Sequence, residues 1–172
     1  PTLRLYEWER QRGVVFQLDF CLPQGAPWLL MHGRLTNPHD DEIPTYWWSN
    51  IAVRETPDLR VLVPATSAYR FGYEGRLEAW PIPRRDGVDL TYPHNLNHSC
   101  DFFYRVGDGK RPWIAALQHD GQGLIQTSTR RLKGRKLFVW GQGPGGRRWQ
   151  EFLSAPGHAY IEIQAGLALS LI

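Results

Sequence analysis

The chain has 172 residues, 42% of them hydrophobic and 13% aromatic, which suits one domain with a substantial core. With 20 basic and 17 acidic residues the net charge is only +3, so we expect no nucleic-acid partner. No apolar run reaches the length of about 18 residues that a membrane span needs, so we expect no membrane partner. Two distant cysteines, Cys21 and Cys100, give no disulfide framework and fit a reducing, cytoplasmic location.

Glycine and proline divide the chain into short segments in which apolar and polar residues alternate, a pattern typical of β-strands. In chain order, strands are predicted at residues 13–20, 28–36, 45–53, 59–63, 87–92, 100–106, 113–119, 123–129, 136–140 and 159–165. One short helix is predicted over 147–154, where Trp149, Phe152 and Leu153 fall at helical spacing. We therefore predict an all-β fold, an antiparallel β-sandwich forming a single domain over residues 1–172. The chain begins at Pro1 and ends within an apolar run, so we expect it to be truncated at both ends.

The segment from Tyr160 to Gly166 carries the first candidate site. On a strand, Tyr160, Glu162 and Gln164 share one face while the intervening apolar residues share the other. Such a face offers a sugar three groups: a carboxylate that can act as a base, an aromatic ring for stacking and an amide for hydrogen bonds. The alternative is an ordinary half-exposed strand with a solvated acid, and the alternation alone fits both.

A second candidate is Tyr46-Trp47-Trp48-Ser49-Asn50, where strand geometry sends Trp48 and Asn50 to one side and Trp47 to the other. One tryptophan is then free to line a cleft, with Asn50 hydrogen-bonding a ligand. The alternative is that both tryptophans belong to the core. Trp140 is a further candidate platform for a sugar.

The loop at residues 93–101 gathers His94, His98, Cys100 and Asp101. Metals use such ligands, but the surrounding proline and asparagines indicate a loop, so we predict no metal and no other cofactor. We expect His94 to hydrogen-bond a ligand. If a second acid faces Glu162, the candidates are Asp101, Asp86, Asp89 and Glu151.

A basic run from Arg130 to Lys136 contains a glycine, and we interpret it as the solvated tip of a hairpin. Motifs for a nucleophilic serine, a phosphate-binding loop or a zinc protease are not found in the sequence.

Glu162-Ile163-Gln164, preceded by an aromatic and apolar strand, resembles the Glu-Thr-Gln motif of galactose mutarotases (aldose 1-epimerases). The glutamate of that motif is their catalytic base. The stretch from Leu35 through Pro44 to Asn50 resembles the mutarotase segment that ends at the catalytic histidine, and here Asn50 stands at that position. The resemblance implies that Glu162 takes the proton of the anomeric hydroxyl, while Asn50 cannot deliver a proton to the ring oxygen.

A closer resemblance, over nearly the whole chain, is to an uncharacterised bacterial family of mutarotase-like domains, often found ahead of tetratricopeptide repeats. The runs that carry it are residues 44–50, 128–141 and 160–166. The resemblance implies part of the large two-sheet supersandwich of the mutarotase superfamily. It also implies tetratricopeptide repeats elsewhere in the parent chain.

Three functional hypotheses follow. The first is a sugar-active enzyme with Glu162 as catalytic base and an acid from the 94–101 loop or from missing sequence. The second is a binding module for a mono- or oligosaccharide. It uses as ligand-binding residues Trp48, Asn50, His94, Trp140, Tyr160 and Gln164.

The third hypothesis is a non-catalytic scaffold, in which Arg130, Arg131 and Arg135 pair with acids at a protein interface. Because Asn50 replaces the expected acid, the sequence favours carbohydrate binding over catalysis. A truncated sandwich also exposes strand edges, so we expect that the fragment can form a homodimer.

Overall fold

The computed structural model describes residues 1–170, and the chain divides into two compact units, Pro1–Thr45 and Tyr46–Ile172. The first unit is an antiparallel sheet of β1 (Thr2–Glu9), β2 (Val14–Cys21) and β3 (Leu30–Thr36), in that order. The turn between β1 and β2 closes at Gly13, whose φ of +67° suits glycine and whose N–H donates to the Glu9 carbonyl at 2.9 Å. The predicted strands at 13–20 and 28–36 are confirmed, whereas β1 was not predicted.

The second unit is also mostly β-strand, and its sheets are antiparallel. Its elements are β4 (Trp48–Arg54), β5 (Arg60–Leu62), β6 (Ser67–Phe71), β7 (Leu77–Pro81), β8 (Arg84–Arg85), β9 (Val88–Asp89), β10 (Cys100–Tyr104), β11 (Trp113–Leu117), β12 (Gly123–Thr127), β13 (Gly134–Val139), α1 (Pro144–Leu153) and β14 (Tyr160–Gly166), with a 3-10 turn at Pro93–Asn95. A six-stranded sheet has the order β4-β14-β13-β10-β6-β7, a three-stranded sheet the order β12-β11-β5, and β8 pairs with β9. The all-β prediction is confirmed.

One hydrophobic cluster joins the two larger sheets of this unit. Ile161 and Ile163 of β14 pack in it with residues of both sheets, including Ile114 of β11 and Val61 of β5. Strand alternation explains the arrangement, because every second residue of β14 points to the cluster. The other face of the six-stranded sheet, which carries Glu162, is therefore left for polar and aromatic side chains.

The structure corrects the interpretation of the basic run. Its last residues are not on a solvated hairpin tip, because Gly134 begins strand β13 in the middle of the six-stranded sheet. Arg135 is 0% exposed and faces the interior, where burial lowers its pKa to about 10. Lys136 is also buried. Arg135 therefore cannot pair with acids at a protein interface.

Further features expected from the sequence can be compared with the structure. The helix predicted at 147–154 exists but begins three residues earlier, at Pro144. Proline suits the first helical position, because its missing N–H would have no partner there. Cys21 and Cys100 are both free thiols. Within the part of the chain that the structure describes, no helix is both long and apolar enough to cross a bilayer.

Candidate functional site

The candidate site lies on the face of the six-stranded sheet that points away from the hydrophobic cluster. Strands β4, β14 and β13 are neighbours there, and their register places Gln164 opposite Asn50 on one side and Lys136 on the other. Glu162 lies two residues from Gln164 on the same face. The alternation predicted for β14 and β4 is what brings these side chains together.

Glu162 is held by two neutral amides. Its Oε2 atom accepts a hydrogen bond from Asn50 Nδ2 at 2.6 Å and another from Gln164 Nε2 at 3.1 Å. Both donors use the same carboxylate oxygen, and within residues 1–170 the other oxygen, Oε1, has no hydrogen-bond partner. The carboxylate is oriented but only partly buried, so one oxygen remains available to a hydroxyl donor.

Trp48 lies on the same face but is packed against the backbone. Its ring lies over Gly166, where an added Cβ would be 2.2 Å from the indole, and its edge meets Phe103 with ring centroids 6.2 Å apart. Trp48 is therefore part of the floor of the site beside Gln164. It does not stand free as the predicted sugar platform would.

A cleft of about 560 Å³ opens beside Glu162. It is lined by Glu162, Asn50, Tyr160, Arg54, His158 and residues 153–155 at the end of α1. Gln150 of α1 fixes Tyr160 in place, since its amide donates to the Tyr160 carbonyl at 2.6 Å and its Oε1 accepts from the Tyr160 N–H at 3.2 Å. We call this the Glu162 cleft.

A second cleft, of about 640 Å³, lies at the start of α1 and is lined by aromatic rings. Trp140 stacks on Trp149 of the helix at 6.2 Å, meets Phe138 edge-on at 4.7 Å, and meets Tyr160 edge-on at 6.0 Å. Because Tyr160 also lines the Glu162 cleft, the two clefts share an aromatic boundary. We call this second one the Trp140 cleft.

This face also carries a buried ion pair that the sequence did not predict. Lys136 Nζ lies 2.9 Å from Asp101 Oδ1, and the Tyr73 hydroxyl donates to Asp101 Oδ2 at 2.7 Å. Asp101 of β10 and Glu162 of β14 both pair with Phe138 of β13, one from each side of that strand. Their Cα atoms are therefore about 10 Å apart, twice the strand spacing. Asp101 was one of four candidate second acids, and it is the one that shares this face with Glu162.

Tyr73 is unusual in backbone as well as in contacts. Its φ is +65°, a conformation that a bulky residue rarely adopts. Burial, followed by the hydrogen bond to Asp101 and the negative charges of Asp101 and Glu162, raises the pKa of its hydroxyl. The hydroxyl therefore stays protonated and holds Tyr73 at the edge of the Trp140 cleft.

His94 is the one predicted ligand-binding residue that the structure places elsewhere. It lies in the 3-10 turn, with Nδ1 4.0 Å from Glu55 Oε1. Burial raises the pKa of that glutamate. His98, from the same loop, lines the Trp140 cleft instead. Among residues 1–170, no three histidine, cysteine or acidic side chains are grouped so that they could hold a metal ion.

A family described as a domain of unknown function, DUF5107, matches residues 3–171. The chain belongs to the DUF5107 family. Its fold is similar to that of a TPR-domain containing protein from Parabacteroides distasonis ATCC 8503, with a TM-score of 0.83 and 19% identity over 99% of this chain. The DUF5107 chain spans 28% of the length of that protein, and at this identity the similarity concerns the fold alone.

Proposed function

We propose that this domain binds a carbohydrate in the Glu162 cleft. The observation that carries the proposal is the Glu162 carboxylate in the cleft lining, oriented by Asn50 and Gln164 while its second oxygen has no hydrogen-bond partner within residues 1–170. Sugars present hydroxyl donors around an apolar ring. A fixed carboxylate in the same cleft as Tyr160 suits both features, because an aromatic ring can cover C–H groups while the oxygens accept hydroxyl protons.

The resemblance to galactose mutarotases extends the proposal to chemistry at the anomeric centre. In this reading Glu162 is the base that removes the anomeric proton, and a second group must protonate the ring oxygen as the sugar ring opens. Asn50 stands where mutarotases have their histidine, and its amide donates to Glu162. Its position orients the base and supplies no proton, which favours binding over rapid mutarotation. The partial mutarotase-like supersandwich is part of the same proposal.

Glu162→Gln tests both versions of the proposal. The change keeps the shape of the side chain, removes its charge and places an amide against two amide donors. We expect sugar affinity to fall by about 10- to 150-fold, since a hydrogen bond to a charged group contributes about 1.5–3 kcal/mol. Any acceleration of anomer exchange is expected to vanish. Chemical-shift titration with a monosaccharide panel measures affinity, and magnetisation exchange between anomers measures turnover.

Glu151→Gln is the matched control. Glu151 is an exposed helix carboxylate that lines neither cleft, so its neutralisation is expected to leave sugar binding unchanged. If no sugar of the panel shifts the resonances of the cleft residues in the wild-type protein, the proposal of carbohydrate binding is wrong. If Glu162→Gln binds as tightly as the wild type, Glu162 is not the recognition group.

The alternative function is protein docking, and one observation favours it. Helix α1 exposes Trp149, Leu153 and Phe152, the last with 78% of its surface accessible. Exposed aromatic side chains are typical of protein interfaces. The same titration separates the two functions, because a docking domain shows no response to any sugar.

A further inference from the structure

Arg54 is a charged residue of the Glu162 cleft that the proposed function does not use. It is exposed at the end of β4, and in residues 1–170 its guanidinium has no ion pair, hydrogen bond or ring contact. Other arginines of the same unit do have carboxylate partners, as the pairs Arg70–Glu74, Arg76–Glu78 and Arg148–Glu151 show. An unpaired guanidinium in a cleft is a binding group for an anion.

The register fixes where this cation lies relative to the rest of the site. Arg54 is directly opposite Tyr160, and Glu162 is opposite Ala52, two residues along β4. Two residues of strand correspond to about 6.8 Å. Arg54 and Glu162 are therefore diagonal neighbours on adjacent strands, with Cα atoms about 7–8 Å apart and Tyr160 next to both, a span comparable to one sugar ring. His158 adds ring nitrogen atoms to the lining of the same cleft.

We propose that the ligand of the Glu162 cleft is an acidic sugar, a hexuronate whose carboxylate is bound by Arg54. This inference rests on the proposed function and specifies its ligand. A hexuronate stacked on Tyr160 presents hydroxyls to Glu162 at one end and a planar carboxylate to Arg54 at the other. The guanidinium fork matches a carboxylate in a bidentate geometry.

The balance of charge favours a carboxylate over a phosphate. A single guanidinium neutralises one negative charge, and the nearby Glu162 repels a second. A sugar phosphate, which carries close to two negative charges at neutral pH, would leave one of them uncompensated beside Glu162. A neutral hexose would leave Arg54 without a partner. The hexuronate is the ligand that gives Arg54 one negative charge to pair with and places no second one beside Glu162.

The test is a titration of the full chain with D-galacturonate and D-glucuronate, with their neutral parents D-galactose and D-glucose, and with glucose 6-phosphate. We expect one uronate to bind at least about tenfold more tightly than its parent hexose and more tightly than the phosphate. Raising the salt from about 50 to about 500 mM is expected to reduce that preference, because the attraction lies at an exposed site.

Arg54→Gln is expected to lower uronate affinity to about that of the neutral parent, so that the preference for the uronate disappears. Arg111→Gln, at an exposed arginine that lines neither cleft, is expected to change neither. The comparison among ligands needs only the wild-type chain, so it stands even if a variant fails to fold.

The outcomes separate this inference from the proposed function. If neutral hexoses or glucose 6-phosphate bind as tightly as the uronates, or if Arg54→Gln keeps the preference, the acidic-sugar inference is overturned while sugar binding stands. If neither neutral nor acidic sugars bind, both are overturned.

Discussion

At the scale of single residues, a missing side chain determines the position of Trp48. The indole lies over Gly166, whose lack of a Cβ leaves the room that the ring occupies. The ring also meets Gly134, where an added Cβ would be 2.5 Å from it. Glycine in a strand commonly marks such a close approach. Trp48 in turn lies beside Gln164 on the same face of the sheet.

Gly166→Ala should therefore displace Trp48. The new methyl would lie 2.2 Å from the ring, so the indole must move, and we expect a loss of about 1–3 kcal/mol in the free energy of unfolding. Urea unfolding followed by tryptophan fluorescence measures the loss. Gly145→Ala is the control, since nothing lies within 4 Å of its added Cβ. Equal stability of Gly166→Ala and the wild type would contradict this packing.

At the scale of elements, strand β13 depends on the buried Arg135. Its guanidinium donates to the carbonyls of Leu132, Gly134 and Pro112 and to the Ser128 hydroxyl, at 2.6–3.0 Å. These acceptors come from the segments on either side of the β11–β12 hairpin, so one side chain ties both ends of that hairpin to strand β13. No carboxylate is among these partners, so carbonyl and hydroxyl dipoles alone balance the charge.

Arg135→Lys is expected to destabilise the domain by about 2–4 kcal/mol, because one ammonium cannot reproduce a planar fork with several donors and leaves buried acceptors unpaired. Chemical denaturation at pH 7 measures the change. Arg131→Lys, at an exposed position of the same run, should change stability very little. A variant at Arg135 as stable as this control would show that the buried bonds contribute nothing net.

The elements also show which features a sequence can predict here. The alternation of strand residues correctly predicted that Glu162 shares a face with Gln164 and that Trp48 shares a face with Asn50. The two-residue period of a strand is a local property of the sequence. The hydrogen bond between Glu162 and Asn50 depends on β4 pairing with β14, and these strands are more than 100 residues apart in sequence. Helical spacing found α1 but not its start, which proline sets.

Other features lay beyond local patterns. Strands β6 and β7 were not predicted, and the turn between them carries Tyr73 to Asp101. The burial of Arg135 was also missed, because a run of basic residues normally indicates a solvated surface. The Tyr73–Asp101 contact and the burial of Arg135 both depend on contacts between distant segments, which composition and periodicity do not encode.

At the scale of the whole molecule, the two units differ in how much they bury. Every residue of the hydrophobic cluster described above belongs to the second unit. In the first unit all of β3 and nearly all of β1 are exposed, including Leu3, Trp8 and Leu30. A sheet of three strands in 45 residues buries too little surface to be stable by itself.

We therefore expect a fragment of residues 46–172 to fold without the first unit, and residues 1–45 alone to remain unfolded. Circular dichroism with urea unfolding measures both, and the longer fragment should show one cooperative transition. The prediction fails if the longer fragment unfolds without a transition while the full chain unfolds cooperatively. That result would instead support a single domain over the whole chain.

The stacked indoles of Trp140 and Trp149 have an optical consequence. Two indole rings 6.2 Å apart and inclined by 27° couple their electronic transitions, which produces a signed pair of bands in the circular dichroism spectrum. One ring follows β13 and the other belongs to α1, so the bands exist only while the helix is docked on the sheet. Since both rings line the Trp140 cleft, a molecule that separates or tilts them changes the signal. The circular dichroism signal of these two tryptophans thus reports whether a molecule occupies that cleft.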